Sequence, residues 1–251
     1  MPIIFDAHVH IYSLYDIGRL LQFAVRNLMN LGFNSSTDLG ILLTERQGQN
    51  HFESLVSKVP VDGWRSEKRP GALICHTPHC KLFIFPGRQI VTAEKIEVHA
   101  LLTEYPFQDG EPLTDVVKNI HMSGCVAAVP WAPGKWFGAR GRHIADLLNS
   151  DSSKQILLND PIGRPPFWTP SLYSKFKQTV YGTDPLPFKD QESLVGTYAT
   201  HSDSTLDAEQ PSLSMKNILQ HEKLARYGSR LGWKRVLTRS LKAKRAPRDV
   251  D

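Results

Sequence analysis

The feature that most constrains the fold is a short apolar segment, residues 3–12, in which two histidines follow the apolar run with one residue between them. Side chains alternate across a β-strand, so His8 and His10 leave the backbone on the same face and can close on one ion. In an α/β barrel the chemistry collects at the C-terminal ends of the strands, where an Asp-x-His-x-His run supplies half of a metal site. The alternative is that one histidine ends the strand and the other packs in the core.

The composition is that of a globular protein. Of the 251 residues, 41% are hydrophobic, enough to bury the core of one α/β barrel or of a domain with a tail. The sequence contains no apolar run of about eighteen residues and does not open with the order of a secretory signal. Three cysteines are too few, and odd in number, for a disulfide scaffold. We therefore expect a soluble, cytoplasmic protein with no transmembrane segment.

Apolar periodicity predicts alternating strands and helices. A helix over 15–31 leads to a buried strand over 39–44, which implies a parallel crossover from the first strand. Strand-like runs at 72–75, 81–85 and 96–102 indicate a hairpin or meander added to the barrel. The remaining predicted helices cover 49–59, 113–123, 143–148, 171–178 and 189–195, and the remaining strands 126–129, 155–158 and 180–182. We predict a distorted, TIM-like β/α barrel over residues 1–200, and the alternation allows either seven or eight parallel strands.

Two loops after predicted strands carry candidate substrate-binding residues. The Gly-rich loop 129–141 contains Trp131, Lys135 and Arg140, and its cations and free backbone N–H groups suit an anionic substrate. A well-packed loop with solvated charges is the alternative. The stiff loop 159–168, which contains Arg164, is predicted to wall the same pocket.

Asp184 follows the predicted strand 180–182 by two residues. A carboxylate in this position can bind a metal ion and accept a proton from the attacking water, because a bound cation lowers the pKa of that water to about 7. The alternative is a carboxylate that only caps the helix following Pro187.

These patterns resemble the metal-dependent hydrolase barrels, namely the amidohydrolase superfamily and, more closely, the PHP (polymerase and histidinol phosphatase) family. The resemblance rests on the segments 5–10 and 182–184, and in the middle of the chain on 85–92 with 96–101 and on 113–133. It covers residues 1–200 and implies a binuclear or trinuclear metal cluster, with His8, His10 and Asp184 carried over as ligands.

The chain departs from the family pattern at four places. The segment 43–46 replaces Thr-Asp-His, Gln89 replaces a metal-binding Glu, 130–131 replaces Ala-His-Pro, and 184–186 replaces Asp-Ala-His. These substitutions imply at most one ion. Glu45 is a candidate replacement ligand or catalytic base, and His99 is a further candidate ligand.

Two classes of function remain open from the sequence. In the first, one divalent ion, zinc or manganese, activates water against an anionic phosphoester, ester or amide, and the catalytic groups are Asp184 and Glu45. In the second, the barrel has lost its cluster and serves as a ligand-binding or scaffold protein docked by its tail. Convergence of His8, His10 and Asp184 in one pocket favours the first, whereas Trp131 or Leu186 filling that space favours the second.

The positive charge is concentrated in the tail, residues 201–251. The net charge is +5, but from Ser229 onward eight lysines and arginines face two aspartates, which gives +6 there and −1 for the first 228 residues. We predict a polar linker over 201–210 and helices over 214–227 and 231–241. The second helix fits a nucleic-acid or acidic-membrane contact and equally a solvated terminal helix.

Overall fold

The computed structural model describes residues 1–32, 36–58, 64–76, 80–132, 134–150 and 155–245, without the side chains of 240 and 243–245. Val59, at the end of the predicted helix 49–59, Pro133 in the loop 129–141, and the last six residues of the tail lie outside this description. The elements in chain order are β1 (Ile3–Val9), α1 (Ile17–Met29), β2 (Asp38–Leu43), α2 (His51–Lys58), β3 (Arg65–Arg69), β4 (Ala72–His76), β5 (Lys81–Phe85), β6 (Gly87–Val91), β7 (Glu97–Leu101), α3 (Leu113–Met122), β8 (Val126–Pro130), α4 (Gly138–Asn149), β9 (Leu157–Pro161), β10 (Thr179–Gly182), β11 (Tyr198–Ser202), α5 (Pro211–His221), β12 (Ala225–Gly228) and α6 (Trp233–Arg245).

The strands form two sheets in an α/β architecture. The first has the order β12-β11-β1-β2-β5-β4-β3, and the second has the order β10-β9-β8-β7-β6. β1 and β2 are parallel with α1 between them, as predicted, and β8, β9 and β10 are also parallel. α1 begins at Asp16, whose carboxylate accepts a hydrogen bond from the Arg19 amide at 2.9 Å and so caps the helix.

A closed barrel is not found among the described strands, and the prediction of a TIM-like barrel is confirmed only as far as its α/β character. On one edge β1 pairs with β2, and on the other it pairs with β11 over residues 3–5, while the two edges of β2 pair with β1 and β5. The second sheet contacts the first outside these pairings. At one seam Glu45 bridges to Arg88, and at the other the Asp184 amide donates to the His8 carbonyl at 2.8 Å.

The interior between the two sheets is apolar. Phe5 and Phe83 of the first sheet pack in one cluster with Leu101, Val126 and Val180 of the second. All five side chains are essentially inaccessible to water, so this cluster holds the sheets together through the hydrophobic effect.

The tail differs from its prediction. β11 continues through Ser202 and pairs with both β1 and β12, so the predicted linker over 201–210 is wrong in its first residues, and the expected boundary at residue 200 falls inside a strand. The helix predicted over 214–227 ends at His221, and the end of that range belongs to β12 instead. The predicted helices over 171–178 and 189–195 are 3-10 turns, at Ser171–Lys175 and Gln191–Leu194. Among the described helices, none is both long and apolar enough to span a bilayer.

Candidate metal site and its pocket

His8, His10 and Asp184 converge on one point at the end of β1. The Nε2 atoms of the two histidines lie 3.1 Å apart, and Oδ1 of Asp184 lies 3.5 Å from His8 Nε2 and 3.7 Å from His10 Nε2. Two imidazole nitrogens that bind one zinc ion tetrahedrally at their usual bond lengths stand about 3.3 Å apart, close to the observed separation. The predicted strand-end chelate geometry is therefore present.

The backbone around Asp6 places these ligands. The pairing of β1 with β2 shifts register between Asp6 and Val9, and this irregularity coincides with His8. The Asp6 carboxylate accepts hydrogen bonds from the backbone amides of His8, Thr183 and Gly196 and from the Thr183 hydroxyl, at 2.5 to 3.1 Å. Asp6 thus ties the end of β1 to the residue before Asp184.

Gly182 allows β10 to approach β1 closely. A Cβ atom on Gly182 would lie 2.4 Å from the His8 amide nitrogen and 2.6 Å from the His8 Cβ. Asp184 then adopts a left-handed backbone conformation with φ of 46°, which aspartate tolerates better than most residues. The alternative role of Asp184 as a helix cap is wrong, because the 3-10 turn that follows starts after Asp190.

Burial sets the protonation states of the three groups. Loss of hydration lowers the pKa of His8 to about 3 and lowers the pKa of His10 well below its usual value. Loss of hydration also raises the pKa of Asp184 to about 7, against the opposing charge of Arg239, although 29% of that side chain remains accessible from the pocket. Both imidazoles are therefore neutral at physiological pH, the form that binds metals, while no described lysine or arginine forms an ion pair with the Asp184 carboxylate.

The donor set fits a divalent metal ion. Two neutral imidazoles and one carboxylate are the ligands of many catalytic zinc sites, in which a further position stays open for water or substrate. A cation on these three donors would also favour the ionised form of Asp184, which burial alone disfavours. Within the described part of the chain, His8, His10 and Asp184 are the group of histidine, cysteine and acidic residues close enough to hold an ion.

The site opens into a cavity of about 450 Å³ whose walls carry both charges and apolar surface. Its cationic residues are Arg46, Lys135 and Arg239, and its acidic residues besides Asp184 include Glu97, which pairs with Lys135. The remaining walls are Tyr12, Gln89, Pro130, Trp131, Ala132, Pro161, Gly163, Leu186 and Val236. A cavity of this size can hold a small ligand. Its cationic side chains outnumber its carboxylates by one before a metal ion binds.

Arg239, on the C-terminal helix α6, was missed by the sequence reasoning. Only 8% of this residue is exposed; its guanidinium donates to the carbonyls of Thr183 and Asp184 and, at 2.8 Å, to Gln191. Its neighbour on the same helix, Val236, also lines the cavity. The tail therefore forms one wall of the site, and no pattern in the sequence distinguishes Arg239 from the other cations of that helix.

Several predicted site residues lie elsewhere. Both Glu45 oxygens accept hydrogen bonds, one from the amide of Phe52 at 2.6 Å and the other from Arg88 at 2.5 Å, and Glu45 neither lines the cavity nor joins the three converging donors. Arg140 lies on α4 and does not line the cavity. Arg164 is buried in an ion pair with Asp160 and is likewise outside the cavity.

His99 lies beside the three candidate ligands, and the two remaining predicted residues line the cavity. The His99 ring lies 4.4 Å from that of His8, measured between centroids, but it does not join the three converging donors. Its Nδ1 contacts Asn159 at 3.4 Å, and burial lowers its pKa well below the usual value. Trp131 and Lys135 line the cavity as predicted, and neither Trp131 nor Leu186 fills it.

Comparison with solved structures shows that the fold is shared with other proteins. PsfC from Pseudomonas syringae PB-5123 matches with a TM-score of 0.58 over 97% of this chain and 98% of its own, at 12% identity. The lesion-specific endonuclease PfuEndoQ from Pyrococcus furiosus has a TM-score of 0.58 and 9% identity over 89% of this chain and 58% of its own. Endonuclease Q in complex with a 27-mer duplex substrate with an abasic lesion at the active site has a TM-score of 0.50 and 10% identity over 100% of this chain and 69% of its own. No protein-family model and no curated protein matches the sequence.

Proposed function

We infer that this protein is a metal-dependent hydrolase of anionic substrates, with phosphoesters ahead of esters and amides. The observation that carries the proposal is the convergence of His8, His10 and Asp184 at one end of a cavity that also holds Arg46, Lys135 and Arg239. Hydrolysis of a phosphoester needs a nucleophile and cationic groups around the phosphoryl oxygens, and this cavity combines sites for both. The resemblance to the PHP family and the shared fold of two endonuclease structures support the same class of chemistry.

The residues take distinct roles in this proposal. His8, His10 and Asp184 hold one divalent ion, zinc or manganese, which when bound supplies a Lewis acid and lowers the pKa of a water molecule. The Asp184 carboxylate is the group placed to accept the proton of the attacking water. Lys135, Arg239 and Arg46 orient the anionic oxygens of the substrate, and Trp131 limits the access of bulk water.

The test combines metal content with turnover. Full-length protein is stripped with a chelator and reloaded with zinc or manganese, and bound metal is measured together with hydrolysis of p-nitrophenyl phosphate, bis(p-nitrophenyl) phosphate and p-nitrophenyl acetate. We expect one ion per chain and turnover of the phosphoesters only when metal is present. His8→Ala should lose both the bound metal and the turnover. The exposed His143→Ala serves as the control. Equal metal content in His8→Ala and wild type would contradict the proposal.

A second candidate is a ligand-binding protein without turnover. It is favoured by Gln89, an uncharged amide that lines the cavity where the resembled family has a metal-binding Glu, and by the pairing of Glu97 with Lys135. Calorimetric titration with inorganic phosphate distinguishes the two. Tight binding of phosphate together with absent hydrolysis by the metal-loaded protein would support the binding function.

A further inference from the structure

Helix α6 presents an apolar stripe that the described residues leave exposed. Trp233, Leu237 and Leu241 follow one another at intervals of four residues and are 57%, 55% and 48% exposed. Residues four apart lie on one face of a helix, so the three side chains form a continuous strip about 12 Å long. Exposed apolar side chains that line up in this way mark a contact surface more often than scattered ones do.

Apart from the stripe, the exposed surface of α6 is positively charged. The thirteen residues of α6 include six lysines and arginines and no acidic residue. Lys234, Arg235 and Lys242 are exposed, and the Lys234 ammonium lies 5.7 Å from the centre of the Trp233 ring. A helix that combines a Trp and Leu strip with a cationic border binds at the interface of anionic lipid bilayers.

The opposite face of α6 is already occupied by the protein. Val236 packs against the cluster of Ile162, Tyr198 and Leu231, and Arg239 is buried against Asp184. A partner therefore has access only to the outer face of the helix, with its stripe and the neighbouring cations. Here only one side is open, which suits a flat surface.

We propose that the outer face of α6 docks the protein onto an anionic membrane surface, with Trp233, Leu237 and Leu241 inserted among the lipids and the exposed cations, led by Lys234, beside the headgroups. A second copy of the chain is disfavoured as the occupant, because pairing two such helices would bring together cations without acids. A nucleic acid would attract the cations but would leave the apolar stripe without a partner. Because Val236 and Arg239 line the cavity, docking holds the metal site beside the headgroup layer.

The proposal is tested with full-length protein and vesicles of phosphatidylcholine with or without phosphatidylserine. We expect co-sedimentation with the anionic vesicles only, weakening as salt is added. Leu237→Ser with Leu241→Ser should lower the partition constant by about tenfold or more, because the inserted apolar surface is lost. Lys234→Gln should lower it by about fivefold, the effect of one cation near an anionic surface.

The matched control is Leu213→Ser on α5, a leucine that is also 55% exposed. It should bind the vesicles like wild type, and all variants should keep the wild-type circular dichroism spectrum. Binding that is unaffected by the paired leucine substitutions, or equal binding to neutral vesicles, would overturn the proposal. The proposal would also be overturned if the protein bound duplex DNA or RNA but not vesicles. The same holds if the protein did not bind vesicles and instead formed a dimer that the leucine substitutions abolish.

Discussion

The four hydrogen bonds to Asp6 show how a single side chain sets the geometry of the candidate metal site. Each carboxylate oxygen accepts a backbone N–H: Oδ1 from His8 and Thr183, and Oδ2 from Gly196. Burial raises the pKa of Asp6 to about 6, against the lowering effect of these donors. The fully buried carboxylate is therefore stabilised by hydrogen bonds that an amide could not replace.

We predict that Asp6→Asn destabilises the protein by about 1–3 kcal/mol. Whichever way the amide is turned, its NH₂ group replaces an acceptor and faces a backbone N–H, because both Asp6 oxygens accept one. Urea denaturation at neutral pH measures the loss. Thr183→Val, which removes only the hydroxyl donor to Oδ2, should cost about 1 kcal/mol, and an equal loss in both variants would contradict the explanation.

We predict that Gly182→Ala lowers stability by about 1–3 kcal/mol and weakens metal binding. The added methyl group would overlap the His8 backbone, so β10 must move away from β1 and carry Asp184 away from the histidines. The measurements are urea denaturation and metal affinity by competition with a chelating dye. Gly232→Ala, where the methyl group would meet no described atom within 4 Å, should leave both unchanged.

The histidine pair and Asp184 could be predicted because strand alternation and the ends of strands follow from local sequence. Glu45 satisfied the same local criteria and yet lies outside the site. Its partner Arg88 is 43 residues away along the chain, and no local pattern indicates that this cation reaches it. Local sequence specifies where a polar side chain stands on its element, whereas tertiary structure determines whether it remains free.

At the scale of the elements, Arg239 attaches α6 to the rest of the protein. Its guanidinium donates to the backbone carbonyls of Thr183 and of the candidate ligand Asp184, and to the side chain of Gln191. A planar guanidinium can donate in several directions at once, which a lysine ammonium on a flexible chain cannot reproduce.

We predict that Arg239→Lys lowers the local opening free energy of α6 by about 1–3 kcal/mol. Hydrogen exchange of the α6 amides measures this opening directly, with global stability followed in parallel. Arg235→Lys on the same helix is the control, because Arg235 is exposed, and its exchange rates should match wild type. Unchanged protection of α6 in Arg239→Lys would show that Val236 and its apolar neighbours alone hold the helix.

The elements were predicted best where apolar periodicity is strong. Helices α1 and α3 and strands β2, β5 and β8 lie within two residues of their expected ends. β3, with the sequence Arg-Ser-Glu-Lys-Arg, could not be found in this way, because it is a largely polar edge strand. The last two residues of β11 were assigned to a linker and most of β12 to a helix, since their strand conformation depends on pairing with distant segments.

At the scale of the whole molecule, buried histidines dominate the change in folding stability as the pH is lowered. Burial lowers the pKa values of His8, His10 and His99, whereas the unfolded chain has histidine pKa values near 6.5. Below pH 6.5 the unfolded state therefore binds more protons, and stability falls as the pH falls. Asp6 and Asp184 act in the opposite direction, because their raised pKa values favour the folded state as the pH decreases from about 7 toward 4.

We predict that the metal-free protein loses stability between pH 6.5 and pH 4, since three histidines outweigh two carboxyl groups. Each group changes the free energy of unfolding by at most about 1.4 kcal/mol per pH unit. The measurement is urea denaturation with a chelator present, at a series of pH values. His99→Gln should flatten the dependence and the exposed His143→Gln should not, and a wild-type stability that rises on acidification would contradict the assignment.

The distance along the chain between β1 and its partners has a consequence for synthesis on the ribosome. β2 pairs with one edge of β1 early, but β11 covers the other edge only much later, and Gly196 reaches Asp6 after 190 residues. Until then the nascent chain carries an apolar strand with an open edge, which is a template for pairing with other chains. Aggregation during expression should therefore arise from chains shorter than about 200 residues, and C-terminally truncated fragments that end before Tyr198 should need chaperones that the finished protein does not.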